Sequence, residues 1–325
     1  MENIAILMGG TSKEKEISLK SAETIYQNID KKQYNPYKVL CLNNTLFKVI
    51  INNKQLTINN TDFSFKLNGI KINIDKVFMM IHGAPGENGE LCTYFENKNI
   101  PYTSCNEQVS ELTFNKFKCS QHLDSIGYKV PKSNIYQTNY TTKYPCIVKP
   151  SSSGSSFGVS KVYNQKEMKY AIEDATHHDD EVIIEEFING RELTCGVFKM
   201  NKNIHALPIT EIISENDIFD YDAKYNGKAI EETPANINKA MQEKIQKISK
   251  KVYRDINLSG IVRIDFIVQN NTPYIIEINT VPGFSEESIV PKMLKCANIN
   301  ITEFITQQLE FLNDTNKPNK SQGVN

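Results

Sequence analysis

The sequence predicts an α/β protein that opens with a parallel sheet. Three observations carry that expectation. Ile4-Ala5-Ile6-Leu7-Met8 is an apolar run that ends in Gly9-Gly10, precedes a helical pattern, and leads to a second run, Val39-Leu40-Cys41-Leu42. Val77-Phe78-Met79-Met80-Ile81 is apolar throughout, as a strand covered on both faces must be. Far along the chain, Arg263-Ile264-Asp265-Phe266 and Tyr274-Ile275-Ile276-Glu277-Ile278-Asn279 flank the polar stretch Gln269-Asn270-Asn271-Thr272-Pro273, which reads as a hairpin with one charged face.

In chain order, Ile4–Met8 is the first strand, and a helix begins near Ser18 with Leu19, Ala22 and Ile25 on one face. No Gly-x-Gly-x-x-Gly follows the strand, so a dinucleotide fingerprint is absent. From Phe47 to Ile74, short apolar runs broken by Asn-Asn, Asn-Gly and Asp predict small hairpins inserted in the domain. His82-Gly83-Ala84-Pro85-Gly86-Glu87-Asn88-Gly89 then lies beyond the C-terminal end of a strand, where α/β sheets bind ligands. A boundary falls near Ser104–Asn106, followed by one helix carrying Leu112, Lys116, Cys119 and Leu123.

Pro145–Pro150 is a strand that ends in Lys149, Ser151–Gly158 a flexible loop, and Val159–Val162 the return strand. Met168, Ala171, Ile172 and Ala175 mark a helix, and Glu181–Ile188 a strand leading into Asn189-Gly190-Arg191-Glu192. Leu193–Val197 and Ile204–Ile213 continue as strands, and Phe219–Gly227 is irregular and polar. Met241, Ile245, Ile248, Val252 and Ile256 recur at helical spacing. After the hairpin comes a helix with Ile301, Phe304, Ile305 and Leu309. The polar stretch Asn313–Asn325 is expected to be disordered.

The 325 residues leave room for about two or three domains. A net charge of -1 gives no drive toward nucleic acid or an anionic membrane. Seven cysteines, an odd number without a Cys-x-x-Cys, suit free buried thiols in a reducing compartment. Met1-Glu2-Asn3-Ile4 has no basic n-region, and no apolar stretch is long enough to span a bilayer. The expected location is the cytoplasm.

Folding the hairpin symmetrically about Asn271 sets Asp265 opposite Glu277 and Arg263 opposite Asn279. Such partners have β-carbons roughly 4.5–5.5 Å apart. Two carboxylates, an amide oxygen and a guanidinium then share one patch. Oxygen donors of this kind suit Mg²⁺ or Mn²⁺ rather than zinc, and Mg²⁺ so held usually also holds phosphates. The plain alternative is a half-solvated charged face. The serine-glycine loop after Lys149 can wrap an anion with its N–H groups and hydroxyls, although it is not a Walker A loop, where the lysine follows the glycines. Its alternative is a surface connection. Groups after the Glu185 strand can read an adenine edge, and a carboxylate there can accept from ribose hydroxyls, or simply be solvated. Lys116 can be a solvated helical lysine, Glu14 an acid at a helix N-terminus, and His82 a packed loop histidine. His177-His178-Asp179-Asp180 is read as a polar turn rather than a metal site.

His82-Gly83 with Gly86-Glu87, the Lys149–Gly158 loop, Tyr221-Asp222-Ala223-Lys224-Tyr225, and Glu277-Ile278-Asn279-Thr280-Val281-Pro282-Gly283 occur in this order. Together they resemble the D-alanine–D-alanine ligase family of the ATP-grasp superfamily. The resemblance covers nearly the whole chain, from Gly9-Gly10-Thr11-Ser12 to Ser288-Ile289-Val290-Pro291. It implies an N-terminal parallel α/β substrate domain (1–105) followed by a two-lobed ATP-grasp fold, α+β in that part. The central lobe would be 106–188. The C-terminal lobe, 189–312, would carry the metal site and a closing loop, and 313–325 would be a tail.

The resemblance also implies roles. Lys116, Lys149 and Lys224 would hold ATP phosphates. Glu185 and the backbone of Glu186, Phe187 and Ile188 would hold adenine, and Glu192 ribose. Asp265, Glu277 and Asn279 would bind two Mg²⁺ or Mn²⁺ ions. Glu14, hydrogen-bonded with Ser155 and Tyr225, would hold the first D-alanine's ammonium. Arg263 and the N–H of Gly283 would stabilise the reacting centre. His82, Ser288 and Ile289 would contact the amino-acid substrates, Ser288 through the second carboxylate and Ile289 through a methyl. Asn88 stands where the family usually has Asp, Ser152-Ser153 lacks the charges of some members, Ser285 replaces a common Thr, and Glu286-Glu287 is unusually acidic.

The implied reaction is ATP-dependent joining of two D-alanines through an acyl phosphate for peptidoglycan precursors, with Phe219–Asn226 closing over the site. Tyr225 implies an amine rather than a D-lactate acceptor. The alternatives are another carboxylate–amine ligase of the D-Ala–D-Ser type and a catalytically inactive nucleotide-binding protein. A homodimer is implied by resemblance only. The expected partners are D-alanine and ATP, with no nucleic acid and no membrane.

Overall fold

The computed structural model describes residues 1–138, 142–214 and 229–315. Strand β1 (Glu2–Gly9) leads through α1 (Lys15–Asn28) to β2 (Tyr34–Asn43), then β3 (Leu46–Ile51), β4 (Lys54–Thr57), β5 (Phe65–Leu67), β6 (Ile70–Ile72) and β7 (Lys76–Met79). β1 pairs in parallel with both β2 and β7, and the sheet order is β4-β3-β2-β1-β7. The hairpins expected between Phe47 and Ile74 therefore divide. β3 and β4 extend the main sheet, while β5 and β6 form a sheet of two. Their aromatics are core residues: Phe63 meets Phe47 and Phe95 edge-on at 5.2 and 5.0 Å.

The first helix starts at Lys15, earlier than expected. Ser18 does not cap it but lies buried inside it. Its hydroxyl accepts from the N–H of Gly9 (2.8 Å) and donates to the carbonyl of Met80 (2.5 Å), tying the helix to the ends of two strands.

After α2 (Glu90–Glu96) come α3 (Glu107–Phe114) and α4 (Lys116–Ser125), where one helix was expected. The break is at Asn115, whose backbone is extended (φ -84°, ψ 104°) and whose side chain accepts from the N–H of Lys118. An asparagine at such a position starts a helix as well as ending one.

Strands β8 (Ser133–Ile135), β9 (Cys146–Pro150), β10 (Ser160–Val162) and β11 (Val182–Glu186) form an antiparallel sheet in the order β10-β9-β11-β8. Helix α5 (Gln165–Thr176) covers it. Cys146, Val148, Met168, Ala171 and Ile184 belong to the small core between them.

The last region holds β12 (Arg191–Met200), β13 (Asn203–Ala206), β14 (Thr210–Ser214), β15 (Ala229–Glu232), α6 (Lys239–Asp255), β16 (Val262–Gln269), β17 (Thr272–Asn279), α7 (Ile289–Cys296) and α8 (Ile301–Thr315). Its sheet runs β15-β14-β12-β16-β17, with β13 also on β12. The strand expected over Ile204–Ile213 is split in two, with Pro208, which has no N–H to donate, in the gap. Helix α8 continues to Thr315, so the tail expected to be disordered from Asn313 begins in helix, and 316–325 lies outside the described residues.

One apolar core joins Ile4, Phe78 and Phe95 to Phe198, Phe284 and Phe304, so it runs from the first sheet into the last region. A second lies between α6 and the β12–β16–β17 face. No helix among the described residues is long and apolar enough to cross a membrane.

Candidate active site

The site is built on the β16–β17 hairpin. Arg263 faces Asn279 and Asp265 faces Glu277, the register expected from the sequence. The tip differs from the symmetric reading. Gln269 pairs with Thr272, so the turn is only Asn270-Asn271, both left-handed (φ 48° and 60°). Asparagine tolerates that conformation, and it is what a two-residue hairpin turn demands. The pairing then shifts between Asp265 and Phe266, because Phe266 faces Ile275 and leaves Ile276 as a bulge. This restores the register at the carboxylates. It also sends Ile275 into the core and turns Ile276 and Glu277 toward one cavity.

Asp265 is almost fully buried and every partner on it is a donor. Thr194 Oγ1 donates to Oδ1 (2.5 Å), Arg263 donates to both oxygens (2.8 and 2.7 Å), and Asn279 Nδ2 donates to Oδ2 (2.9 Å). Burial works against the charge of Arg263, but Asp265, with help from Glu277, holds its proton more firmly than usual. Glu277 pairs with Lys116 at 3.0 Å, and Lys116 also donates to the carbonyl of Ser153. Two carboxylates and an amide, with no thiolate or imidazole, fit a hard divalent cation with oxygen donors. Among the described residues no group of three or more His, Cys, Asp or Glu could hold a metal ion, so the donor set here is two carboxylates and one amide oxygen.

A cavity of about 390 Å³ lies beside this patch. Lys116, Lys149, Glu185, Glu186, Phe187, Ile188 and Glu192, the residues the sequence reading assigned to nucleotide, all line it. Lys149 and Glu185 form a buried ion pair (2.9 Å), adjacent on neighbouring strands because Ile183 faces Lys149. Glu186 accepts from the N–H of Lys132, and Lys161 sits 3.9 Å over the ring of Phe187. The serine-glycine loop is tethered at its start. Ser151 donates to Asn115, and the N–H of Ser152 donates to Asp179. Ser155 and Ser156 are left-handed (φ 53° and 56°). The His177–Asp180 segment is thus a turn that supports this loop.

A second cavity, about 370 Å³, is lined by Glu14, His82, Ser155, Gly283, Ser288 and Ile289. Ser155 donates to Glu14 (2.5 Å). A β-carbon on Gly83 or Gly154 would lie 3.2 or 2.7 Å from Glu14 Oε2, so two glycines make room for this carboxylate. A β-carbon on Gly283 would stand 3.0 Å from Ser288 Oγ. Ser288 also opens α7, whose N-terminus favours a carboxylate. Both ring nitrogens of His82 are engaged, Nδ1 with the carbonyl of Val281 (2.6 Å) and Nε2 with Ser21 Oγ (3.0 Å). Burial lowers its pKa, against the neighbouring charge of Glu14, which raises it.

Sequence reasoning gave Glu87 and Thr194 no role. Glu87 accepts from the N–H groups of Gly83 (2.8 Å) and Val281 (2.9 Å). Burial and the charge of Glu14 push its carboxyl up to about 7. Its signal was its place beside Gly86 in the His82 loop. Thr194 had none, because its link to Asp265 needs the β12–β16 register. Lys224, Tyr225 and the Phe219–Asn226 closing segment lie outside the described residues. The two cavities share Lys116, Ser153, Arg263 and Glu277.

Residues 3–105 match the family model D-ala D-ala ligase N-terminus, and residues 113–310 match D-ala D-ala ligase C-terminus. A D-alanine--D-alanine ligase of Flavobacterium johnsoniae is 41% identical over 320 residues, covering 96% of this chain and 99% of that protein. The crystal structure of VanG D-Ala:D-Ser ligase from Enterococcus faecalis superposes with a TM-score of 0.85 at 28% identity, over 96% of this chain and 99% of the other. The D-alanine--D-alanine ligase from Bacillus anthracis complexed with ATP gives 0.75 at 25% identity, over 97% and 100%. The fold expected from the sequence, a parallel α/β domain followed by a two-lobed ATP-grasp part, is the fold of these structures.

Proposed function

This chain belongs to the D-alanine–D-alanine ligase family, and we propose that it joins two D-alanines into D-alanyl-D-alanine for peptidoglycan precursors, converting ATP to ADP and phosphate. The carrying observation is the shared wall. Two cavities of similar volume, about 390 and 370 Å³, meet at Lys116, Arg263 and Glu277, so a γ-phosphate in one and a carboxylate in the other can meet there.

On this reading Glu14, set by Ser155, binds the ammonium of the first D-alanine and directs its carboxylate at the wall. A carboxylate oxygen attacks the γ-phosphorus and ADP leaves, giving an acyl phosphate. The second D-alanine's amine then attacks the carbonyl carbon and phosphate leaves. Lys116 and Lys149 offset the repulsion between carboxylate and triphosphate, with Lys224 as a third expected cation. Asp265, Glu277 and Asn279 would hold two Mg²⁺ or Mn²⁺ ions, which supply further positive charge to the phosphoryl oxygens. Arg263 and the N–H of Gly283 stabilise charge on the reacting carbonyl. Ser288 and the start of α7 hold the second carboxylate, and Ile289 packs on a methyl. Glu185, the Glu186–Ile188 backbone and Glu192 hold adenine and ribose. The free state of all seven cysteines supports a reducing, cytoplasmic setting.

The test is D-alanine-dependent ADP formation by purified protein, with the product identified by mass. ATP binding without such turnover would leave a nucleotide-binding protein. D-Serine belongs in the same assay, given the likeness to a D-Ala:D-Ser ligase. D-Lactate at neutral pH tests whether Tyr225 favours an amine acceptor. Sedimentation tests the homodimer.

A further inference from the structure

Two adjacent residues of the N-terminal region reach the same loop of the four-stranded sheet. Glu14 accepts from Ser155 Oγ at 2.5 Å, and Lys13 Nζ lies 4.0 Å from the centre of the Phe157 ring. The Phe157 ring also stacks on His178, with centroids 5.7 Å apart and planes 30° from parallel. Gly158 must be a glycine for this arrangement. It is left-handed (φ 70°), and a β-carbon on it would lie 2.8 Å from the His178 ring. Ser155 lines the amino-acid cavity, whereas Phe157 lines the nucleotide cavity. The dipeptide Lys13-Glu14 therefore touches both cavities through positions two apart on one loop. An exposed lysine is ordinarily just solvated, but this one is set over a ring that is held in place from a second direction.

We infer that Lys13 is a positioning residue that couples the two cavities: through Phe157 it makes nucleotide and the first amino acid each favour the other's binding. The inference rests on the function proposed above. A ligand in either cavity orders the loop, so the second ligand has less ordering left to do. Lys13 transmits this because its backbone continues into Glu14, which holds the first amino acid. An exposed cation–π contact corresponds to about a two- to fivefold effect on an equilibrium.

The experiment is calorimetric binding of a non-hydrolysable ATP analogue with Mg²⁺, with and without saturating D-alanine. Wild type, Lys13→Ala and Lys13→Arg are compared, with melting temperatures as the check on folding. The wild type should bind the analogue more tightly with D-alanine present. Lys13→Ala should lower that ratio about two- to fivefold. Lys13→Arg, which keeps a cation over the ring, should restore it. An unchanged ratio in Lys13→Ala, a failure of Lys13→Arg to restore it, or a wild-type ratio of one would each overturn the inference. An equal loss of affinity with and without D-alanine would also overturn it, since the contact would then only support the loop. Absence of nucleotide binding in the wild type would instead refute the proposed function.

Discussion

Replacing Gly154 by alanine would set a methyl group against Glu14. The backbone at Gly154 is outside the left-handed region, so alanine can adopt it without strain. The added β-carbon would lie 2.7 Å from Glu14 Oε2 and 3.5 Å from its Cδ, where ordinary contact begins at 3.4 Å. The carboxylate must therefore retreat by about 0.7 Å. It is the free end of a flexible side chain, so the retreat costs the fold little. Removing a glycine also stiffens the unfolded chain, worth about 0.4–1 kcal/mol in favour of the folded state. Catalysis is less forgiving, since a misplacement near 1 Å can cost about a hundredfold. Gly154→Ala should lower kcat/KM for D-alanine about ten- to a hundredfold, or roughly 1.4–2.7 kcal/mol of transition-state stabilisation. The melting temperature should be unchanged or slightly raised. Phosphate release over a range of D-alanine concentrations, with thermal melts in parallel, measures both. Wild-type kcat/KM with the same melting temperature would refute the placement of Glu14 on the first substrate.

Glu277→Gln should cut turnover by about a hundredfold or more while moving the melting temperature by only a few degrees, because Glu277 lies at the cavity wall with Lys116 rather than in a core. Comparable losses of activity and stability would show that the residue is structural. Glu87 predicts a pH effect. Its carboxyl is raised from 4.5 to about 7 in the folded protein, so its contribution to stability is fully present below pH 4.5 and is lost as pH rises through 7. Compared with Glu87→Gln, the wild type should lose about 3 kcal/mol of stability over that span. Denaturant midpoints of both proteins at several pH values measure the difference, and parallel profiles would refute the shift.

The hairpin shows how much of the site was legible. Alternation alone placed Asp265, Glu277, Arg263 and Asn279 on one face, and that placement holds. The tip was misread by symmetry, although Asn270-Asn271 carries the signal of a two-residue turn. The compensating bulge was invisible, since Ile276 is as apolar as its neighbours. Apolar periodicity also ran two helices together at Asn115, because a capping asparagine looks like any polar residue on a helix face. The serine-glycine loop was readable as a stretch. Its tethers to Asn115, Asp179 and Lys13 were not, because they come from elements distant in sequence. Glu87 escaped for the same reason, as its partner Val281 is 194 residues away.

His82 and Glu87 grip both polar groups of the Val281 backbone, one on its carbonyl and one on its N–H. Behind that grip, Ile4 and Phe304 belong to one apolar core. Parting the first sheet from the last would break the grip and wet the core together. The four-stranded sheet keeps a separate core and reaches the N-terminal region through the side chains of its loop. Any movement of the four-stranded sheet relative to the first would therefore have to break the Ser155–Glu14 and Lys13–Phe157 contacts, but would not open the core that the first and last sheets share.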